Sequence, residues 1–159
     1  MEMVLDYSAL ARAVHVMAVV IWIGGVSMVT TVTLPAIRRA ELGADRLRAF
    51  HAFERRFVWQ ARAAVLLTGL SGLYMVWRFQ LWDRFQLLQF WWMHAMVCLW
   101  LLFAALLFVV EPLILHHHFA RLARVDPERA FARLHRAHWI MLALSCVTVL
   151  AAVAGAHGG

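Results

Sequence analysis

Two histidines lie inside apolar stretches of this sequence, where an imidazole is costly unless it has a task. His15 follows Arg12 by three residues at the start of the first stretch, and His94 lies near the start of the third. Cys98 and Leu101 share a helical stripe with His94, and we expect this stripe to border the ring of a bound haem. If both stretches enter a membrane from one side, the imidazoles can bind a haem iron from opposite faces, or a metal ion. The alternatives are two hydrogen-bonded core histidines, or one ligand and one bystander.

Residues near these histidines could complete a haem site. Trp22 and Gly25 follow His15 in the same apolar stretch, and a glycine lets a flat macrocycle or another helix approach the backbone. Arg12 and Arg78 lie at the ends of apolar stretches, where haem propionates would emerge, although such arginines are commonly interfacial anchors. His157, at the end of the fourth stretch, is the next candidate for the second ligand.

A second group of polar residues belongs to the opposite side of the membrane. Arg62 lies inside the second stretch and Glu111 near the end of the third, so their depths match and a salt bridge is predicted. Arg62 could instead hold an anion, such as a propionate or a group at a quinone site. His51 shares a helical face with Arg62, and His138 shares one with His135. With His116, His117 and His118, these histidines suggest a second haem or a metal site, or simply headgroup contacts.

Copper is the alternative cofactor, because thioethers and imidazoles suit Cu(I) and the chain has eight Met. Scattered methionines in an apolar protein mostly fill space, however, and none forms a regular pair on one face with a histidine. The two cysteines, Cys98 and Cys146, follow no zinc or redox spacing. Neither a nucleophile motif nor a carboxylate pair indicates hydrolytic chemistry.

The elements that must position these residues are membrane-spanning helices. The 159 residues are 64% hydrophobic and 15% charged, with a mean hydropathy of +0.73, which excludes a soluble globular domain and a disordered chain. Four apolar runs, at 13–37, 57–77, 87–115 and 137–156, are each long enough to cross a bilayer. We expect an all-α fold, an integral membrane four-helix bundle that forms one domain over residues 1–159.

Charge predicts the orientation of these helices. All 15 basic residues are Arg, against 9 acidic ones, and they concentrate in the connections 38–56 and 116–136. The positive-inside rule places these connections in the cytoplasm and both termini in the periplasm, which indicates a multi-pass protein of a bacterial inner membrane. The net charge of +6 is assigned to topology and to anionic membrane lipids, and no nucleic-acid partner is expected.

Two connections carry signals for helix starts. Asp45 can cap a helix that runs through residues 47–57 into the second apolar run. The sequence Asp126-Pro127-Glu128 combines a capping residue with a proline and an acid of a first turn. A helix is therefore predicted from about Pro127 into the fourth run.

Three motifs resemble those of a known membrane group. The stretch 15–25, HVMAVVIWIGG, with the helix end Leu34–Arg38, is similar to the first helix of CopD-like copper-resistance proteins and HemJ-type protoporphyrinogen oxidases. The element 67–70, LTGL, resembles a signature of the second helix in that group. The resemblance implies four spans and a haem b ligand at His15. HemJ-type members carry a third-span Lys where this chain offers His94, which favours a bis-histidine cytochrome over porphyrinogen oxidation.

From these observations we expect haem b, one copy with a second possible, in electron transfer or a small redox reaction. A membrane quinol or a redox partner protein would exchange the electrons, and a homo-oligomer is possible. Whether the chain is itself an enzyme, a membrane oxidoreductase, stays open. The alternatives are a copper-handling transporter of the CopD type and a non-catalytic subunit of a larger membrane complex.

Overall fold

The computed structural model describes residues 7–156, apart from the side chains of residues 114–117, and this part of the chain is all-α without a strand. The expected all-α class is therefore confirmed. The helices, in chain order, are α1 Tyr7–Met28, α2 Leu34–Arg38, α3 Arg46–Arg78, α4 Trp91–Ala105, α5 His116–Val125 and α6 Pro127–Ala156.

Two π-helical segments interrupt the regular helices, and the sequence did not predict them. Val29–Thr33 joins α1 to α2, and Leu106–Leu115 joins α4 to α5. Each is associated with a proline, because Pro35 follows the first segment and Pro112 lies within the second. A proline lacks an N–H and its ring crowds the carbonyl four residues earlier, so a widened turn relieves the clash and leaves carbonyl groups free.

Three helical stretches are long and apolar enough to cross a membrane, namely Tyr7–Arg38, Leu88–Leu113 and Pro127–Ala156. They include most of the first, third and fourth predicted spans. The second predicted span, 57–77, lies within α3 but is not among the three. Its hydropathy is reduced by Arg62 and by two buried hydroxyl residues, Thr68 and Ser71.

Both predicted helix starts are confirmed. The backbone N–H of Arg48 donates to Asp45 Oδ1 at 3.0 Å, and that of Arg129 donates to Asp126 Oδ1 at 3.0 Å. These caps satisfy first-turn donors, so α3 and α6 begin well before their apolar portions. Helix α5 was not predicted, because arginine and histidine dominate its sequence and hide the small apolar face that it buries.

The helices form an antiparallel arrangement with two distinct ends. Helix α1 packs on α3 and α6, and α4 packs on the same two helices. We call the end that holds residues 38–56 and 116–136 the arginine-rich end, and the opposite end, with residues 7, 78–90 and 156, the terminal end. One apolar cluster fills the middle of the molecule (Trp22, Val26, Ala64, Val65, Leu99, Phe103 and Leu142) and another fills the arginine-rich end (Val29, Leu34, Ile37, Phe119, Ala123, Ala130, Phe131 and Leu134).

Candidate functional site

The half-buried imidazole of His15 lies between α1 and α3 near the terminal end. Its Nδ1 is 3.0 Å from the backbone carbonyl oxygen of Thr68 and 3.1 Å from the hydroxyl oxygen of Ser71. A carbonyl oxygen only accepts, so Nδ1 is the donor. The other ring nitrogen, Nε2, has no hydrogen-bond partner among the described residues. Histidines that bind metals commonly donate one N–H to a carbonyl in this way, which leaves the second nitrogen to the metal.

One face of α3 creates the place for this ring. Ser71 and Gly72 follow Thr68 by three and four residues, so all three share a face of the helix. The Ser71 hydroxyl donates to carbonyl oxygens of its own helix, which leaves its oxygen free to accept from His15. A Cβ added at Gly72 would come within 3.2 Å of His15 Cε1. The glycine therefore lets the imidazole pack directly on the backbone of α3.

Arg12 and Arg78, the candidates for holding propionates, are both exposed at the terminal end, as their positions in the sequence suggested. The Arg12 guanidinium lies 5.8 Å from the centre of the Phe79 ring, which places it beside the last turn of α3. Arg78 occupies that last turn. Neither residue forms an ion pair within residues 7–156, so both guanidinium groups remain able to bind an anion near His15.

His94 occupies a different environment from His15. It is exposed, its Nε2 donates to the backbone oxygen of Phe85 at 3.0 Å, and its ring meets the Phe85 ring edge-on at 5.4 Å. Within the described chain no hydrogen bond or ring contact joins His94 to His15. The nitrogen that usually binds haem iron is therefore engaged with the peptide backbone, and His94 would have to release Phe85 to act as a ligand.

The stripe that was expected to line the site with His94 faces outward. Cys98 is exposed and Leu101 is 53% exposed, whereas Met93, Leu99 and Phe103 form the buried face of α4. Both side chains are open to contact, and the expectation that this stripe borders a haem stays a prediction. In a helix this apolar, periodicity does not distinguish the lipid-facing side from the packed one, so only tertiary contacts decide it.

Trp22 and Gly25 pack against neighbouring helices. Trp22 is 4% exposed and meets Phe103 edge-on at 4.8 Å, with its indole Nε1 buried and unpaired within the described structure. An added Cβ at Gly25 would come within 2.7 Å of the Phe57 ring, so this glycine accommodates a phenylalanine of α3. Gly25 therefore serves helix packing. Trp22 keeps a buried N–H donor on the same face of α1 as His15, two turns away.

The predicted salt bridge between Arg62 and Glu111 is confirmed. Arg62 Nη2 lies 2.8 Å from Glu111 Oε2, and Arg62 Nε donates to the Leu107 carbonyl at 3.1 Å. That carbonyl belongs to the second π-helical segment, so Arg62 satisfies an oxygen that regular helical bonding leaves free. Rings of Trp59 and Phe108 flank the guanidinium at 5.4 and 5.8 Å. Any anion bound by Arg62 would therefore compete with Glu111.

The histidines proposed for a second site have separate partners. His51 Nδ1 donates to Glu54 Oε2 at 3.0 Å, and His138 Nδ1 donates to the Leu134 carbonyl at 3.0 Å. His118 is exposed. The side chains of His116 and His117, and all of His157, lie outside the described residues. In the described part of the chain no three His, Cys, Asp or Glu side chains form a group able to hold a metal ion.

A polar network at the arginine-rich end was missed at the sequence level. Glu128 accepts from Arg38 at 3.2 Å and from Arg46 at 2.9 Å, which joins α2, α3 and α6. His135 accepts from Arg38 through Nδ1 at 3.2 Å and donates through Nε2 to the Thr30 carbonyl of the first π-helical segment at 2.9 Å. The only signal in the sequence was Glu128 itself, an acid in a connection crowded with arginines.

Glu128 precedes the apolar part of α6 and is open to solvent. Hydrogen bonds from Arg38 and then from Arg46 lower the pKa of its carboxyl group below the ordinary value, with smaller charge effects of the same two residues. The carboxylate form is therefore the one that links the three helices. This arrangement is structural, because the two groups that donate to Glu128, Arg38 and Arg46, belong to the protein itself.

Comparison of the chain with protein-family models, with curated proteins and with solved structures finds no match.

Proposed function

We propose that this chain is a multi-pass membrane protein that binds haem b through His15 and acts in electron transfer. Four helices would cross the membrane, with α3 as the fourth beside the three apolar stretches that are long enough. The packing of α3 against α1 and α4 supports this arrangement, because both neighbours belong to stretches long and apolar enough to cross a membrane. The Arg asymmetry supports a bacterial inner membrane with both termini in the periplasm.

The observation that carries the proposal is the orientation of His15. Its Nδ1 is held by the Thr68 carbonyl and the Ser71 hydroxyl, and its Nε2 has no protein partner in the described structure. Fixing Nδ1 as the donor sets the ring orientation and raises the basicity of Nε2, which would favour binding of a haem iron. The same residue is the one that the resemblance to CopD-like and HemJ-type proteins marks as a haem ligand.

Two exposed arginines support a haem near the terminal end of α1. Exposed Arg12 and Arg78 could hold its propionates where water reaches them, and the apolar surfaces of α1 and α3 would exclude water from the ring. A bound haem would supply one-electron chemistry, which the histidine that holds it and its burial would tune. His94 remains the sequence-based candidate for the second ligand. No contact within residues 7–156 favours either alternative, the copper transporter or the accessory subunit.

The absorption spectrum of the purified protein tests this proposal. We expect a sharp Soret band with resolved α and β bands on reduction, and loss of bound haem in His15→Ala. His117→Ala is the control and should keep the spectrum. If His94 is the second ligand, His94→Ala should convert a low-spin spectrum to a high-spin one. A colourless protein, or a His15→Ala variant with an unchanged spectrum, would refute the proposal.

The proposed orientation has its own test. A reporter enzyme that is active only outside the cytoplasm should work when fused after Gly159 and should be silent when inserted near Arg124. The opposite pattern would reverse the orientation without affecting the haem assignment.

A further inference from the structure

A groove about 510 Å³ in volume lies along the first turns of α3, at the arginine-rich end. We propose that it binds the phosphate of an anionic phospholipid, at a site independent of His15. Its lining residues, which we call the arginine groove, are Asp45, Leu47, Arg48, His51, Ala52 and Arg55.

The charges of the arginine groove suit a phosphate. Arg48 and Arg55 are exposed, and neither forms an ion pair within the described chain, unlike Arg46 or Arg62. They are two helical turns apart, about 10 Å along the axis, with the small side chain of Ala52 between them. Two guanidinium groups can therefore converge on one phosphate above Ala52, each through paired N–H donors.

The acidic residues leave the groove with a net positive charge, because its lining holds Asp45 against two arginines. Asp45 accepts the backbone N–H of Arg48 as the helix cap, and Glu54 accepts from His51. Both are thus engaged with partners on their own helix. The two arginines keep their guanidinium groups for a ligand.

The surface that continues from the groove identifies the ligand as a lipid. Trp59 follows Arg55 by one turn and is 69% exposed, and the same face of α3 then presents Leu66, Leu70 and Leu73, all exposed. This face changes from cationic to aromatic to aliphatic as it enters the membrane. A phospholipid has the same order of groups, because its phosphate is followed by an interfacial ester region and then by acyl chains.

Native mass spectrometry of the full-length protein in detergent tests the site, with phosphatidylglycerol and phosphatidylcholine of equal chain length as probes. We expect retention of phosphatidylglycerol, and about tenfold weaker retention in Arg48→Gln/Arg55→Gln. The matched control is Arg133→Gln/Arg136→Gln, which removes equal charge from exposed positions of α6 at the same end. Ala52→Trp should also weaken retention, since it fills the groove without changing its charge.

Three results would overturn the proposal. An equal loss in the two double variants would show a diffuse effect of positive charge. Unchanged binding in Ala52→Trp would show that the groove is not the site. Displacement of the lipid by excess inorganic phosphate would show a site for free anions. Circular dichroism of each variant shows whether the variant is folded, so that none of these three results is confused with misfolding.

Discussion

The network around Glu128 and the surroundings of His15, at opposite ends of the molecule, differ in how their polar side chains are bonded. Around Glu128, Arg38 bonds to both Glu128 and His135, and His135 donates to the freed Thr30 carbonyl. At the terminal end, the Nε2 of His15 has no partner in the described structure, and the exposed Arg12 and Arg78 form no ion pair there. Polar groups that satisfy each other hold helices together, whereas a positioned group with unused bonding capacity is available to a ligand.

The π-helical segments strengthen this contrast. Both lie toward the arginine-rich end of their helices, and each exposes a carbonyl to a side chain of another helix, Thr30 to His135 and Leu107 to Arg62. A π-helical turn is often found at a functional site. Here both are used as joints between helices, so their presence alone does not locate the function.

The largest expected effect lies in the apolar cluster of the arginine-rich end. Phe131 is fully buried and meets the rings of Phe50 and Phe119. Phe131→Ala should lower the free energy of unfolding by about 3–5 kcal/mol, because the cavity is enclosed on several sides. Leu88→Ala, at a residue 91% exposed, is the control. Unfolding by titration with a denaturing detergent measures both, and a similar loss in the two would show that this end is not a packed core.

The salt bridge gives the next effect. Arg62→Met or Glu111→Leu alone should destabilise by about 3 kcal/mol, the lower end for a buried pair, since the side chains are 20% and 18% exposed. The double variant Arg62→Met/Glu111→Leu should cost less than the worse single change. Additive losses would mean that the two residues do not interact. Haem binding should persist in all three variants if this ion pair is structural.

A smaller effect is expected at the terminal end, where it tests whether His15 binds haem. Ser71→Ala removes one acceptor from His15 Nδ1, which should weaken haem binding about tenfold and shift the reduction potential. Ser145→Ala is the matched control, because Ser145 is also buried but bonds only to the Met141 carbonyl of its own helix. Titration with haem measures the affinity. An equal haem affinity of the two variants would indicate that His15 does not take part in haem binding.

The smallest effect is the pH dependence contributed by Glu128. Its pKa is lower in the folded protein, so its bonds to Arg38 and Arg46 stabilise the fold fully above the ordinary value of 4.5. This contribution is lost as the pH falls through the lower folded pKa. The melting temperature of Glu128→Gln should therefore lie below that of the unmodified protein at pH 7, with the gap closing in acid. A constant gap would indicate that Glu128 acts through packing instead of charge.

Local features of the sequence were read correctly where their cause is local. Asp45 and Asp126 cap helices because a carboxylate next to a first turn finds backbone donors in any fold. Arg62 and Glu111 pair because charges at one depth in an apolar environment have few other partners. Helix α5 and the π-helical segments were missed, because each depends on which face packs and on how a proline is accommodated.

By itself, then, the sequence determined the all-α class, three apolar stretches able to cross a membrane, the helix caps and the central ion pair. The tertiary structure decided how His15 is held, that the stripe of Cys98 and Leu101 faces outward, and that Gly25 accommodates Phe57. The physical reason is that apolarity and charge set depth along the helix axes, while rotation about each axis follows from close packing. In a chain apolar on every side, only contacts between helices reveal that rotation.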